Sequence, residues 1–257
     1  GAAQPFGIGC ALALFAGLGA EADWRLGLGL AGLVAALGAL AALALVPGGR
    51  GPGGAAGAGL AAGWRLSGRE WGATLAAGVT LGFYVGCFYG FLSLFPSWLA
   101  ELGWPPARVA LVAGGLGWAP VLMSPLGGWI AARSGRPGLM IAVCVSAWGA
   151  AAMALPVLGP ALWLLAAMAV FGPAPIGAVM SLSARAAAPE RLAAATGVFA
   201  AFLYLGAAAM PALAGRVGEA AAAAGASAPA AAVGFCGAAF LGALPALALF
   251  ERLARRP

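Results

Sequence analysis

The chain has 257 residues, 63% hydrophobic and 8% charged, with a formal net charge of +6. Soluble domains run near half apolar and about a quarter charged, so this balance excludes an ordinary soluble domain and points to an integral membrane protein. The positive charge does not point to nucleic acid, because all thirteen basic residues are arginines scattered among short connections and gather on no polar face.

At roughly 20 apolar residues per crossing, about eight transmembrane helices fit in an all-α chain. Residues 1–20 read as a first span, short enough that its beginning is expected upstream, so the sequence reads as a fragment or processed product. Glu21, Asp23 and Arg25 form a narrow polar turn with Trp24 at its boundary, and residues 26–46 make a second span. Residues 47–70 are rich in Gly and Pro and read as a linker.

Residues 71–101 form a third span with no charge between Glu70 and Glu101. Its middle carries Tyr84, Phe88, Tyr89 and Phe91 beside Gly82, Gly86 and Gly90. Glycine at every fourth position lets a neighbouring helix approach on one side, while the aromatic side can pack or line a cavity. A fourth span covers 106–132, with Pro106 suited to its first turn and Pro120 and Pro125 expected to bend it. After a basic turn at 133–137, a fifth span covers 138–158. A sixth, 160–187, has Pro173 and Pro175 in its middle. Prolines at membrane depth free backbone carbonyls, which is tolerated where protein or a watery cavity satisfies them, so they point toward a transport path. A polar turn at 188–191 leads to a seventh span, 192–214, then to a surface loop expected at 215–230 and an eighth span at 231–250.

The arginines sort by alternate connections. Arg50, Arg65, Arg69, Arg133, Arg136, Arg185, Arg191, Arg252, Arg255 and Arg256 fall on one side, and only Arg25, Arg108 and Arg216 on the other. Short cytoplasmic connections carry the basic excess, so the ten-arginine side and the C-terminus are expected in the cytoplasm. The bias toward Ala, Gly and Arg, with no Lys, His or Asn, is that of a GC-rich genome, and a bacterial inner membrane is expected. Cys10, Cys87, Cys144 and Cys236 lie in apolar runs without metal-ligand spacing and read as buried small hydrophobes; no metal or cofactor is expected.

The turn Gly128–Trp129–Ile130–Ala131–Ala132–Arg133–Ser134–Gly135–Arg136 resembles the G-x-L-A-D-R-x-G-R signature of major facilitator superfamily transporters, with Ala132 in place of the acid, as in the second and weaker copy of that motif. DWR at 23–25, the linker from Pro47, LFPSWLAELGWPPARVAL at 94–111 and SARAAAPERLAAATGVFAAF at 183–202 are similar to other connections of the family in the same order. The resemblance implies that the eight spans are helices five to twelve, the first four being absent. Residues 1–48 are then the last two helices of an N-terminal bundle, 49–70 the central cytoplasmic linker and 71–257 a six-helix C-terminal bundle. It also implies a secondary transporter, moving a small organic solute or anion by alternating access around a site near the bilayer midplane.

On that reading residues 71–101 become the first helix of the second bundle. Tyr84, Phe88, Phe91 and Phe95 share a face that either lines the cavity or packs on lipid and neighbouring helices, while Tyr89 points elsewhere. Trp118, Met180, Ser181 and Tyr204 are further candidates for solute contact. Arg133 and Arg136 lie on the same membrane side as Glu70, Glu190 and Glu251, so ion pairs among them either close a gate or only mark topology. All seven acids sit at span ends or in loops, and coupling to a proton or other ion therefore needs a boundary acid or a group in the missing helices. A membrane enzyme is disfavoured by the lack of a general base at membrane depth. A non-transporting scaffold or truncated remnant is the alternative.

Overall fold

The computed structural model describes residues 66–254 and a few helical positions between 29 and 40. The span expected at 1–20, most of the one at 26–46, most of the linker at 47–70, and Arg255 and Arg256 lie outside the described residues. Among the described residues the chain is helical and contains six helical segments long and apolar enough to cross a membrane.

The first, α1, spans Gly68–Glu101. Ser67 caps it reciprocally: its hydroxyl accepts the Glu70 N–H at 3.3 Å and its own N–H donates to Glu70 Oε2 at 2.8 Å. This capping box satisfies two backbone donors that a helix start leaves open. Helix α2, Pro106–Ser134, begins with proline at its first position and stops at Gly135, whose φ of 62° is left-handed. It remains one continuous helix through Pro120 and Pro125. Each end carries a stacked pair four residues apart, Arg108 over the Trp104 ring at 3.9 Å and Arg133 over the Trp129 ring at 4.5 Å. Helix α3, Pro137–Leu158, follows directly.

The fourth segment is broken. Helix α4, Leu162–Phe171, gives way to turns through residues 172–175, then to α5, Ile176–Met180, and α6, Leu182–Ala186. Pro173 and Pro175 lack the N–H groups that would continue the helical ladder, so the break falls on them. After a short 3₁₀ turn at Pro189–Arg191, α7 runs Leu192–Ala223. The surface loop expected at 215–230 is therefore corrected: its first nine residues are helix. Sparse bulk there reflects a run of alanines, the strongest helix formers, and the reversal is confined to Gly225, at φ 80°, before Ser227 caps the next helix. The last segment comprises α8, Ala228–Phe240, and α9, Ala243–Ala254.

Helix α1 is the hub, packing on α7, α8, α9 and α2. Its glycines face α7: Gly78 lies against the Phe202 ring, Gly82 and Gly86 meet the backbone around Phe202 and Gly206, and Gly90 sits against Pro211 and Cys236. A Cβ on Gly206 would overlap the carbonyl of Gly82. Helix α7 continues through Pro211, and the GAAAMP stretch at 206–211 serves as this crossing point. On another side of α1, Trp148 of α3 gathers an aromatic cluster, with ring centroids 4.3 Å from Phe240, 5.2 Å from Phe91 and 6.0 Å from Phe88. Large apolar side chains elsewhere face outward, among them Leu122, Val157, Trp163 and Leu205. That outward apolar surface suits hydrocarbon.

Candidate functional site

A narrow cleft of about 20 Å³ opens between α1, α2 and the broken segment. Tyr84, Phe88 and Tyr89 form one wall, Gly117 and Pro120 of α2 a second, and Pro173 and Ile176 a third. As it stands the cleft has room for about one water molecule. Tyr84 is buried, its ring 5.3 Å from Phe240, and its hydroxyl donates to the Gly172 carbonyl at the head of the helix break. That bond answers a backbone acceptor that the prolines would otherwise strand in an apolar interior. Gly172 has to be small as well, since a Cβ there would come within 2.7 Å of Trp148 Nε1. On the neighbouring helix, a Cβ on Gly127 would overlap the Ala174 carbonyl. Three elements thus meet at the break with backbone or aromatic edges in contact.

The shared face expected of Tyr84, Phe88, Phe91 and Phe95 divides. Tyr84 and Phe88 border the cleft, whereas Phe91 and Phe95 are fully buried, stacked at 4.8 Å, with Phe91 edge-on to Trp148. The division follows from the neighbour: the wide ring of Trp148 fills the space beside Phe91, and none is left for a cavity at that level. Tyr89, expected to point elsewhere, borders the same cleft as Tyr84. Trp118 is half-buried on α2 and is not among the cleft residues. Met180 and Ser181 stand beyond the break; Ser181 Oγ donates to the Ala178 carbonyl at 2.7 Å and borders a separate groove of small residues with Gly128 and Ala131. Tyr204 is 72% exposed on α7. Of the eight expected contact residues, then, Tyr84, Phe88 and Tyr89 come together at one place. Trp148, absent from that set, organises their surroundings; its only sequence signal was a lone large aromatic in the Ala-rich middle of its span.

The acids on this side of the bundle pair with arginines other than Arg133 and Arg136. Glu70 Oε1 accepts Arg191 Nε at 3.0 Å, Arg191 Nη2 at 2.8 Å and the Ala188 N–H at 3.0 Å. Glu251 pairs with Arg185 at 2.9 Å. The acids thus meet Arg191 and Arg185, and Arg133 stacks on Trp129 while Arg136 is exposed at the N-cap of α3. Glu190 is exposed in the 3₁₀ turn. The cause is the connection at 187–191, which passes directly over the start of α1 and delivers Arg191 to Glu70. Cys87, Cys144 and Cys236 are buried free thiols, and no group of three or more His, Cys, Asp or Glu that could hold a metal ion occurs among the described residues.

Comparison of the chain with models of protein families, with curated proteins and with solved structures finds no match.

Proposed function

We propose that the chain is a secondary transporter of the major facilitator type, its described helices forming the C-terminal six-helix bundle and its solute a small organic molecule or anion. The observation that carries this reading is the cleft itself, where two tyrosines and a phenylalanine face the proline break of the fourth segment. A helix interrupted at membrane depth is tolerated where protein or a watery cavity satisfies the freed backbone, and discontinuous helices of this kind form the binding sites of many secondary transporters. At its present size the cleft is the closed form of one wall. The opposing wall is expected from the other bundle, and alternating access follows when the two rock apart. Tyr84 and Tyr89 bring phenol rings and Phe88 an apolar face, with the Tyr84 proton already given to the Gly172 carbonyl, a set suited to an uncharged or weakly polar organic group. Among the described residues no acid borders the cleft, so coupling to a proton or other ion is left to a boundary acid or to groups outside these helices.

The basic excess on the connections sets the orientation, with the C-terminus in the cytoplasm of a bacterial inner membrane. Reconstitution of the full-length protein in proteoliposomes under an imposed pH or ion gradient tests the reading. Gradient-dependent solute accumulation is expected, with weaker apparent affinity in Tyr84→Phe and Phe88→Ala. A well-folded protein that moves no organic solute or anion would leave the non-transporting scaffold in its place.

A further inference from the structure

Helix α2 carries one face past two cavities. Gly117 and Pro120 border the tyrosine cleft, while Gly128, Ala131 and Gly135 border the groove of small residues toward the basic end, about 400 Å³ in volume, with Gly177 and Ser181 of the broken segment opposite. These α2 positions recur at three- and four-residue steps and so lie on one side of the helix. Ser124 belongs to the same series, between Pro120 and Gly128. It is 8% exposed, and its Oγ has no hydrogen-bond partner among the described residues. Other helical serines turn back on their own chain: Ser93, Ser134, Ser181 and Ser183 each donate to the carbonyl three residues earlier. For Ser124 that carbonyl belongs to Val121, and Pro125 has no N–H to give it. A hydroxyl and a carbonyl without its helical donor thus stand within one turn, roughly 15 Å from the helix end at Ser134 at 1.5 Å per residue. In an apolar interior such groups are costly unless bonded, and a buried water with two or more polar partners satisfies them. Across the seam, a Cβ on Gly177 would fall 3.5 Å from Gly128 Cα and 3.9 Å from the Ser124 carbonyl oxygen, so backbone faces backbone with no side chain between.

We propose that Ser124 holds a water molecule, and that this water joins the tyrosine cleft to the groove at the basic end, so that the bundle is hydrated from within along one face of α2. The water bonds Ser124 Oγ and donates to the Val121 carbonyl. The ligand is water and not the solute, because the cleft has room for about one water molecule and the way out of it narrows where Gly127 meets the Ala174 carbonyl. The groove, with the Ser181 hydroxyl on its border, is the reservoir. None of this rests on the transport reading, since a non-transporting scaffold of the same fold would carry the same water.

The test exposes the full chain in lipid nanodiscs to a brief X-ray pulse, which turns bound water into hydroxyl radicals, and reads hydroxylation of Tyr84 and Tyr89 by mass spectrometry. Both are expected above the level of Trp148, which is sealed in the core. Mixing with heavy-oxygen water before the pulse times the exchange of cleft water. Ser124→Ala removes the water's anchor, and Ala132→Leu puts bulk into the groove from an exposed position; each should slow exchange on the order of 10-fold. Ala110→Leu, in the cleft at the other end of α2, is the control and should leave the rate unchanged. Exchange unaltered by Ser124→Ala, or by a folded Ala132→Leu, overturns the proposal. If Ala110→Leu slows exchange as much, the water enters from the other end and the proposal fails. Tyrosines hydroxylated no more than Trp148 would mean a dry cleft and would overturn it outright. Should Ala132→Leu not fold, Ser124→Ala carries the comparison, because its hydroxyl makes no bond within the described bundle. Gradient-driven solute uptake is a separate measurement, so the two readings fail independently.

Discussion

Two faces of α1 solve the same packing problem in opposite ways. Toward α7 the helix presents Gly78, Gly82 and Gly86, and the backbones approach until Gly206 lies against the Gly82 carbonyl. Toward α3 it presents Phe88 and Phe91, and the two helices are held apart by rings around Trp148, which also meets Phe240 beside Tyr84. The glycine face is fixed by the absence of side chains: an addition at Gly82, Gly86 or Gly206 meets backbone that cannot move aside, and one at Gly78 meets the Phe202 ring. The aromatic face is made of side chains with rotamers of their own, and the cleft opens beside it. Close backbone contact supplies the rigid joint, and bulky rings supply the adjustable one.

Substitutions can separate the two. Gly206→Leu forces side-chain volume into the Gly82 backbone and should abolish the crossing; the expected result is loss of the folded, monodisperse species in detergent, and a stable monodisperse product would show that the joint is not close-packed. On the ring side, Trp148→Ala removes the hub and should cost about 3–5 kcal/mol, read as a large fall in melting temperature with folding retained at low temperature. Tyr84→Phe keeps the ring and removes only the bond to the Gly172 carbonyl. A loss of about 0.6–1.7 kcal/mol is expected in thermal denaturation, within the range of polar contacts between membrane helices. Gly197→Ala provides the smallest and opposite effect: nothing lies within 4 Å of its added Cβ on α7, and the gain in helix propensity should stabilise by up to about 1 kcal/mol. If Gly197→Ala destabilised instead, the contrast between joint glycines and open glycines would not hold.

The six long segments from residue 68 onward were legible because hydrophobic length and proline position are local properties. So was the glycine side of α1, since a four-residue repeat of small residues means close approach whatever the partner is. The aromatic side was only half legible. Spacing places Tyr84, Phe88, Phe91 and Phe95 on one stripe, but whether a stripe meets cavity or core is decided by the opposing helix, here by Trp148 more than 50 residues away. Which arginine meets which acid was not legible, for a similar reason. Charge alternation tells which residues share a membrane side and says nothing about which connection crosses over α1. The alanine run at 220–224 misled in the other direction, because few bulky residues in a membrane protein signal either a loop or a helix of small side chains.

The stacked pairs at the two ends of α2 set a length. From Arg108 to Trp129 the helix rises about 32 Å at roughly 1.5 Å per residue, close to the hydrocarbon thickness of an average bilayer. Aromatic rings with cations beside them anchor at the headgroup level, so both ends of α2 are tied to their respective interfaces. In a thinner bilayer a helix so tied relieves the hydrophobic mismatch by tilting, kinking or thickening the lipid around it, and the same helix carries Pro120 into the tyrosine cleft. Where tilt is the response, cleft width is expected to follow lipid chain length, and distance labels on α1 and α2 that stay constant between short-chain and long-chain lipids would rule that out.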